Sequence, residues 1–329
     1  MFSFSLIIGS MISISSSTWM GMWMGLEINL LSIIPLMNNK NNTYSSEASM
    51  KYFITQALAS TILMFSIILM SKTMMSIWTN QSMMIIFNSA LLTKMGAAPF
   101  HFWFPEVMEG LSWNNCLVLL TWQKLAPMIL LMYNISFSQF IYFIIIASML
   151  ISGIMGLNQI SLRKIMAYSS INHIGWMIGS MFFVSSVWIY YFIIYTIISF
   201  NLIFIFKTLN IFYIKQLIMF TNNSLNNKIF FTMNLMSLGG LPPFLGFLPK
   251  WLTIQSLIEN NHLFLTFLMT MLTLITLYYY LRLTYSTIMF NYNEINFLIK
   301  NNKYYFFTMI SNSLSILGLI TCTSLFSIL

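Results

Sequence analysis

The sequence predicts an all-α membrane protein: a single domain over residues 1–329 with about eleven transmembrane helices. Hydrophobic residues make up 58% of the chain and charged residues only 6%, whereas a water-soluble domain carries about 25% charged residues. The apolar runs are continuous and lack the alternation of hydrophobic and polar residues that is typical of membrane β-strands. Since backbone groups inside lipid must be hydrogen-bonded within the protein, a helical bundle is the remaining class.

Each predicted span is an apolar run of roughly 20 residues bounded by polar residues. The first run contains no Lys or Arg, so it lacks the basic segment of a signal peptide and is interpreted as a membrane span. Asn-rich segments at 38–49, 207–228 and 285–303 are interpreted as exposed loops. The predicted spans are, in order, 2–17, 19–37, 52–71, 83–104, 113–132, 138–157, 165–183, 186–206, 229–257, 263–284 and 304–326.

The positions of the basic residues test this order of spans independently. Loops on the cytoplasmic or matrix side of a membrane are enriched in Lys and Arg. If successive loops alternate between the two sides, Lys72 lies on one side and the other loop cations share the opposite side with the N-terminus. Those cations are Lys40, Lys51, Arg163, Lys164, Lys207, Lys215, Lys228, Arg282, Lys300 and Lys303.

A motif of the form G-x-x-P-F-x4-P occurs twice, beginning at Gly96 and at Gly240. The two copies fall in the fourth and ninth spans, which cross the membrane in opposite directions, as an inverted repeat requires. Gly and Pro interrupt helical hydrogen bonding, and such broken helices line hydrated cavities in transporters. The alternative is a pair of simple proline kinks in unrelated helices. The residues predicted to break the helices are Gly96, Pro99, Gly240, Pro242 and Pro243.

Four ionisable residues lie inside predicted spans and are the main candidates for function: Glu27, Lys94, Lys124 and Lys250. A charge at the centre of a bilayer costs on the order of 3 kcal/mol, so we expect these groups to face the bundle interior, a partner or water. Lysine suits proton transfer because a buried ammonium releases its proton more readily. The alternatives are a protonated hydrogen-bonding carboxyl for Glu27 and snorkelling to an interface for the lysines.

The two weaker candidates are histidines. His101 adjoins the first motif, where it is placed to connect the lysines with one surface, and His173 lies within the seventh span. A histidine satisfied within the core explains His173 equally well. Cys116 and Cys322 show no metal-ligand or disulfide spacing, so we expect no metal on this chain. The basic residues form no basic aromatic surface, which argues against nucleic-acid binding.

Six stretches resemble the chain 2 family of mitochondrial NADH-ubiquinone oxidoreductase, or complex I, in its short animal and most nearly insect form. They follow one order along the chain: WMGLEINLLSIIP, SSEASMKYFITQALAS, TKMGAAPFHFWFPEVMEGLSW, LTWQKLAPM, LNQISLRKIMAYSSINHIGWM and LGGLPPFLGFLPKW. The residues after Trp251 match the family in character only.

This resemblance implies an antiporter-like subunit of the proton-translocating NADH:ubiquinone reductase in the mitochondrial inner membrane. Its proton-transfer axis corresponds to Glu27, Lys94, Lys124 and Lys250, with Glu27 and Lys94 forming an ion pair whose rearrangement changes the proton affinity of the lysine. The resemblance places NADH, flavin, iron–sulfur clusters and ubiquinone on other chains. It implies partners among other antiporter-like chains and small hydrophobic chains, with bound lipids such as cardiolipin. The N-terminus is then on the matrix side and the C-terminus on the intermembrane-space side.

Two other functional classes fit the same charged axis. One is a free-standing cation/proton antiporter, and the other is a purely structural subunit whose buried charges are remnants. Physical chemistry separates the antiporter from the complex I subunit poorly, because both need buried titratable groups. The motif resemblance favours the complex I subunit.

Overall fold

The computed structural model describes residues 1–38, 42–72, 77–134, 139–182, 184–221 and 225–289, together with Ser313 and Gly318. Every regular element in these residues is a helix, apart from an isolated β-bridge between Ser161 and Tyr213. The helices are α1 (Phe2–Ser15), α2 (Trp19–Met37), α3 (Thr43–Lys72), α4 (Ile77–Met95), α5 (Trp103–Gly110), α6 (Trp113–Leu120), α7 (Trp122–Tyr133), α8 (Gln139–Leu157), α9 (Leu162–Met181), α10 (Ser185–Leu209), α11 (Ile214–Thr221), α12 (Leu225–Gly239), α13 (Phe247–Glu259) and α14 (Leu263–Met289).

The chain divides into two compact units, Met1–Ser148 and Met149–Leu329, with the boundary inside α8. In the first unit α2 and α4 pack against α3, and α7 packs against α4 and α1. This arrangement surrounds the C-terminal end of α4 with helices that each carry buried polar residues. In the second unit α9 is buried along almost its whole length and contacts α10, α13 and α14. The single domain over residues 1–329 stays a prediction.

Six described helical segments are long and apolar enough to cross a membrane. They correspond to the second, third, fifth, sixth, eighth and tenth predicted spans. The first span is a shorter apolar helix, and the fourth and ninth are interrupted. The eleventh, 304–326, lies outside the described residues apart from Ser313 and Gly318. The bundle class is confirmed, whereas the number eleven stays a prediction.

The predicted loops were wrong in part, because they contain helical turns. α3 begins at Thr43, where an ion pair of 2.9 Å between Glu47 and Lys51 stabilises a polar first part of the helix. α11 lies inside the predicted loop 207–228, and the Gln216 side chain accepts hydrogen bonds from two backbone N–H groups that precede it. α14 continues to Met289. Hydropathy reports only the lipid-matched part of a helix, so these exposed turns were missed.

Serine and threonine side chains are accommodated in the apolar helices by bonding to their own backbone. Ser13, Ser66 and Ser148, all buried, donate to the carbonyl oxygen three residues earlier at 2.7, 2.6 and 2.8 Å. A hydroxyl that is satisfied within its own helix needs no water or partner helix. The buried polar residues that instead bond between helices are therefore the more informative ones.

Candidate functional site

The first G-x-x-P-F motif ends α4 and separates it from α5. Gly96 has a φ of 75°, a left-handed conformation that glycine adopts without steric cost. The Gly96 N–H donates to the Thr93 carbonyl at 3.2 Å and the Ala97 N–H to the Leu92 carbonyl at 3.0 Å. These two bonds form a Schellman motif, which ends a helix and satisfies two of its terminal carbonyls.

The second motif ends α12 with the same backbone pattern. Gly240 has a φ of 78°, and its N–H donates to the Ser237 carbonyl at 3.0 Å. The Leu241 N–H donates to the Met236 carbonyl at 3.4 Å. Pro242 and Pro243 follow, and neither has an N–H with which to continue the helix. Both copies of the sequence motif thus terminate their helices by one hydrogen-bonding scheme, while the inverted relation between them stays a prediction.

Lys250, in the second unit, binds the end of α12 directly. Its Nζ donates to the carbonyl oxygens of Gly239 at 2.9 Å and Leu238 at 3.3 Å, and it lies 5.8 Å from the centre of the Trp176 ring. The last carbonyls of a helix have no partner within the helix and carry partial negative charge. The interrupted helix therefore supplies the ligands that stabilise this buried ammonium.

Lys94, in the first unit, comes two residues before Gly96 and so adjoins the free carbonyl groups at the end of α4. It lies near the end of α4 with 7% of its surface exposed, and within the described residues its Nζ forms no hydrogen bond to those carbonyls. The Thr93 carbonyl accepts from Trp103 Nε1 at 3.0 Å. In the described part of the chain, Lys94 Nζ and the Glu27 carboxylate form no direct ion pair. The ion pair implied by the resemblance stays a prediction.

A small polar cavity lies beside Lys94, with about 10 Å³ open to water. The amides of Asn29 and Gln123 bond reciprocally across it, at 3.1 and 2.9 Å, and so join α2 to α7. Tyr52 Oη donates to Gln123 Oε1 at 3.4 Å, and Gln56 Nε2 donates to the Lys94 carbonyl at 3.5 Å. These four polar residues and Lys94 line the cavity together with Leu26, Leu30 and Pro127.

None of these four uncharged residues was predicted from the sequence. The three amides carried a signal in retrospect: Asn29 is two residues after Glu27, Gln123 precedes Lys124, and Gln56 lies inside an apolar run. An amide in a membrane span needs a hydrogen-bonding partner, and a partner on another helix marks a packed polar site.

Lys124 and Glu27 lie in the same unit as Lys94. Lys124, on α7, is only 1% exposed, and its Nζ lies 5.3 Å from the centre of the Phe104 ring. α7 begins after an interruption at Thr121, so Lys124 occupies the first turn of a second segment. Glu27 Oε1 is buried without a hydrogen-bond partner among the described residues. Lys124 and the Glu27 Oε1 atom are therefore buried, whereas the Glu27 side chain as a whole is half-buried.

The two histidines fall in different units. His101 is 2% exposed, and its Nδ1 lies 3.3 Å from the Pro99 carbonyl in the first break. His173, on α9, has its Nδ1 2.9 Å from the Tyr191 hydroxyl and its ring centroid 5.0 Å from that of Tyr195. Glu27, Lys94, Lys124 and His101 thus belong to the first unit, and Lys250 and His173 belong to the second. Lys40, Lys300, Lys303 and Cys322 lie outside the described residues.

A family of transmembrane proteins described as "NADH:quinone oxidoreductase/Mrp antiporter, TM" matches residues 16–276. The chain is 50% identical to NADH-ubiquinone oxidoreductase chain 2 of Anopheles gambiae, over 100% of this chain and 98% of the relative. The corresponding protein of Aedes aegypti is 52% identical, with the same coverage of 100% and 98%. The fold is similar to a chain of Thermus thermophilus respiratory complex I, with a TM-score of 0.87 and 21% identity over 97% of this chain and 77% of that one.

Proposed function

This chain belongs to the NADH-ubiquinone oxidoreductase chain 2 family, and from that membership we propose that it is a proton-transferring subunit of the membrane arm of complex I. The groups that transfer protons are Glu27, Lys94, Lys124 and Lys250. The observation that carries the proposal is the environment of Lys94: a buried lysine side chain that lines a small polar cavity. Burial at such a cost is typical of groups that work by changing their charge.

The proposed step at Lys94 is a reversible proton exchange. The neutral amine accepts a proton on its Nζ lone pair and becomes an ammonium, which the negative charge of Glu27 stabilises. When that interaction weakens, the ammonium returns one proton to a water or to the next titratable group. Lys124 and Lys250 repeat the exchange in their own surroundings. No electron moves in these steps, so the redox chemistry belongs to other chains of the complex.

Lys250 can keep its hydrogen bonds in both protonation states of such an exchange. As an ammonium it donates to the Gly239 and Leu238 carbonyls. As a neutral amine it still has two N–H groups for the same acceptors and gains a lone pair that can take up a proton. The end of α12 therefore holds the nitrogen in place in both protonation states.

The matched breaks after α4 and α12 support a further part of the proposal, namely that the chain is built from two inverted repeats with one broken helix each. The common φ values of 75° and 78° and the common Schellman bonds follow from the common motif. Two unrelated proline kinks would have no reason to share these features.

The proposed location is the mitochondrial inner membrane, with the N-terminus on the matrix side and the C-terminus on the intermembrane-space side. The proposed partners are other antiporter-like chains and small hydrophobic chains of the membrane arm, together with lipids such as cardiolipin. NADH, flavin, iron–sulfur clusters and ubiquinone are proposed to bind elsewhere in the complex. Among the described residues no group of three His, Cys, Asp or Glu side chains is close enough to hold a metal ion.

The test is the Lys94→Met variant in the assembled complex, reconstituted into vesicles. We expect protons translocated per NADH oxidised to fall severalfold, because methionine fills the space but cannot bind a proton. Lys94→Arg should be equally impaired, since a guanidinium keeps its charge and does not release its proton. The matched control is Lys207→Met, which removes an exposed lysine near the end of α10.

Native gel separation with in-gel NADH oxidation staining verifies assembly of each variant. Normal proton translocation by an assembled Lys94→Met complex would contradict the proposal and favour a structural subunit. Recovery of the wild-type chain only in a small particle without NADH oxidation would favour a free-standing antiporter.

A further inference from the structure

Lys94 and Lys250 are equally buried but differ in the hydrogen-bond acceptors around their Nζ atoms. Both are 7% exposed, and an ammonium has three N–H donors that need acceptors. Lys250 has two carbonyl acceptors at 2.9 and 3.3 Å. Among the described residues, no protein group accepts a hydrogen bond from Lys94 Nζ, although Lys94 lines a polar cavity. The acceptor at Lys94 must therefore be something that the cavity admits.

The cavity has the size and the chemistry of a site for one water molecule. Its volume of about 10 Å³ is close to the minimum that a single water needs. A buried water forms about three hydrogen bonds to polar groups, and the wall offers the side chains of Asn29, Tyr52, Gln56 and Gln123 besides Lys94.

The hydrogen bonds of the wall differ in strength. The Asn29–Gln123 bonds of 3.1 and 2.9 Å have ordinary lengths for N–H···O pairs. The bonds from Tyr52 at 3.4 Å and from Gln56 at 3.5 Å exceed the usual range. The amide pair is thus the fixed part of the wall, while the tyrosine hydroxyl and the Gln56 amide are weakly held and free to turn toward a water.

We propose that the Asn29–Gln123 amide pair, with Tyr52 and Gln56, forms a binding site for one water molecule on Lys94, and that Gln123 is a positioning residue for proton transfer by Lys94. This inference rests on the proposed function of Lys94 as a proton carrier. Gln123 belongs to α7 and Asn29 to α2, so their reciprocal bonds fix the spacing of two of the cavity's walls. An amide neither gains nor loses a proton at physiological pH, so the pair directs the water without competing for the proton.

The proton balance of the step is simple. Lys94 Nζ–H gives its proton to the oxygen of the water, and the water releases one of its own protons to an acceptor of the axis such as the Glu27 carboxylate. The water is regenerated, and Nζ keeps a lone pair for the next proton. Without a fixed water, the ammonium has no acceptor in line with its N–H bond.

The test compares the double variant Asn29→Leu/Gln123→Leu with the exchanged pair Asn29→Gln/Gln123→Asn in the assembled complex. The double leucine variant leaves no unpaired buried amide, which keeps the fold intact. The exchanged pair retains both amides. Ser32→Ala is the control, because it removes a buried hydroxyl of α2 that bonds only to its own helix, at 2.8 Å to the Asn29 carbonyl.

Two readouts are measured: a density peak for water in a cryo-electron microscopy map, and protons translocated per NADH oxidised. We expect a peak within hydrogen-bonding distance of Lys94 Nζ in the wild type, no peak and a severalfold loss of translocation in the double leucine variant, and recovery of both in the exchanged pair. No peak in the wild type, or normal translocation by the double leucine variant, would overturn the inference. Normal translocation by Lys94→Met would instead refute the proposed function, and the water peak would still decide whether the site exists.

Discussion

Lys250 packs so closely against Gly240 that no side chain larger than hydrogen fits at position 240. A Cβ on Gly240 would lie 2.7 Å from Lys250 Cδ and 2.9 Å from its Nζ. The lysine therefore folds over the glycine to reach the Leu238 and Gly239 carbonyls. The glycine serves two purposes: it adopts the positive φ that ends α12, and it leaves room for the ammonium.

Gly240→Ala is expected to impair proton translocation while the chain still assembles. The alanine costs on the order of 1–2 kcal/mol in the left-handed conformation, and its methyl group displaces Lys250 from its carbonyl ligands. Translocation per NADH oxidised measures the effect. Gly239→Ala is the matched comparison, because a Cβ there meets its nearest atom, Tyr280 Cδ2, at an ordinary 3.7 Å. An equal loss in both variants would contradict the steric argument.

At this scale, sequence alone was sufficient for charged residues and insufficient for neutral ones. Lys124 and Lys250 were evident as candidates because a charge inside an apolar run is costly and is seldom present for packing alone. Asn29, Gln56 and Gln123 are neutral, and an amide in a membrane span is often a local packing group. Only their mutual distances separate them from ordinary core residues. The roles proposed for the charged residues remain predictions.

Among the elements, the break between α4 and α5 is held by contacts from outside the motif. Trp103, the first residue of α5, donates from Nε1 to the Thr93 carbonyl at 3.0 Å and packs edge-on against Tyr52, with ring centroids 5.6 Å apart. Lys51 of α3 reaches Glu106 of α5 at 3.0 Å on the exposed side. The indole bond closes the gap between the two helices and also positions a wall of the cavity.

Trp103→Phe is expected to loosen this break by about 1 kcal/mol, the usual net value of one hydrogen bond. The ring is kept and only the N–H donor is lost, so assembly should be retained. The measurement is the temperature at which the reconstituted complex loses proton translocation, which should fall. Trp251→Phe is the control, since Trp251 is 50% exposed. An unchanged inactivation temperature for Trp103→Phe would show that the bond does not stabilise the break.

Helix positions were predictable where the ends of a helix coincide with the ends of an apolar run. α2 occupies Trp19–Met37 as predicted, because its boundaries coincide with those of the apolar run. The first turns of α3 and the whole of α11 were missed, since ion pairing and capping by Gln216 stabilise them rather than lipid. Gly96 and Gly240 marked the ends of α4 and α12, yet no pattern indicated which carbonyls would bind a lysine.

For the whole molecule, contacts between loops agree with the predicted alternation of sides. In the first unit Lys51 meets Glu106, which joins the segments that follow the second and fourth predicted spans. In the second unit the Leu162 N–H donates to the Phe212 carbonyl at 2.9 Å, and Lys228 Nζ donates to the Ile288 carbonyl at 3.3 Å. Each of these pairs joins segments that the alternation assigns to one side. The alternation of sides itself stays a prediction, which rests on the bias of loop cations toward the matrix side.

The orientation itself is tested by labelling introduced cysteines with an impermeant thiol reagent. In a Cys116→Ser/Cys322→Ser background, Lys207→Cys should react only from the matrix side and Lys72→Cys only from the opposite side. The reason is the excess of loop cations predicted on the matrix side. Labelling of both positions from one side would contradict the predicted order of spans.

The size of the cavity at Lys94 also bears on ion selectivity. A metal cation crosses a protein bodily and needs several oxygen ligands in place of its hydration shell. A space of about 10 Å³ that holds a single water offers a metal ion few oxygen ligands, and the neighbouring ammonium repels a cation. A proton needs no such set of ligands, because it is passed from one hydrogen-bonded group to the next. The surroundings of Lys94 would therefore disfavour sodium and potassium through charge repulsion and the lack of ligands, without a dedicated filter.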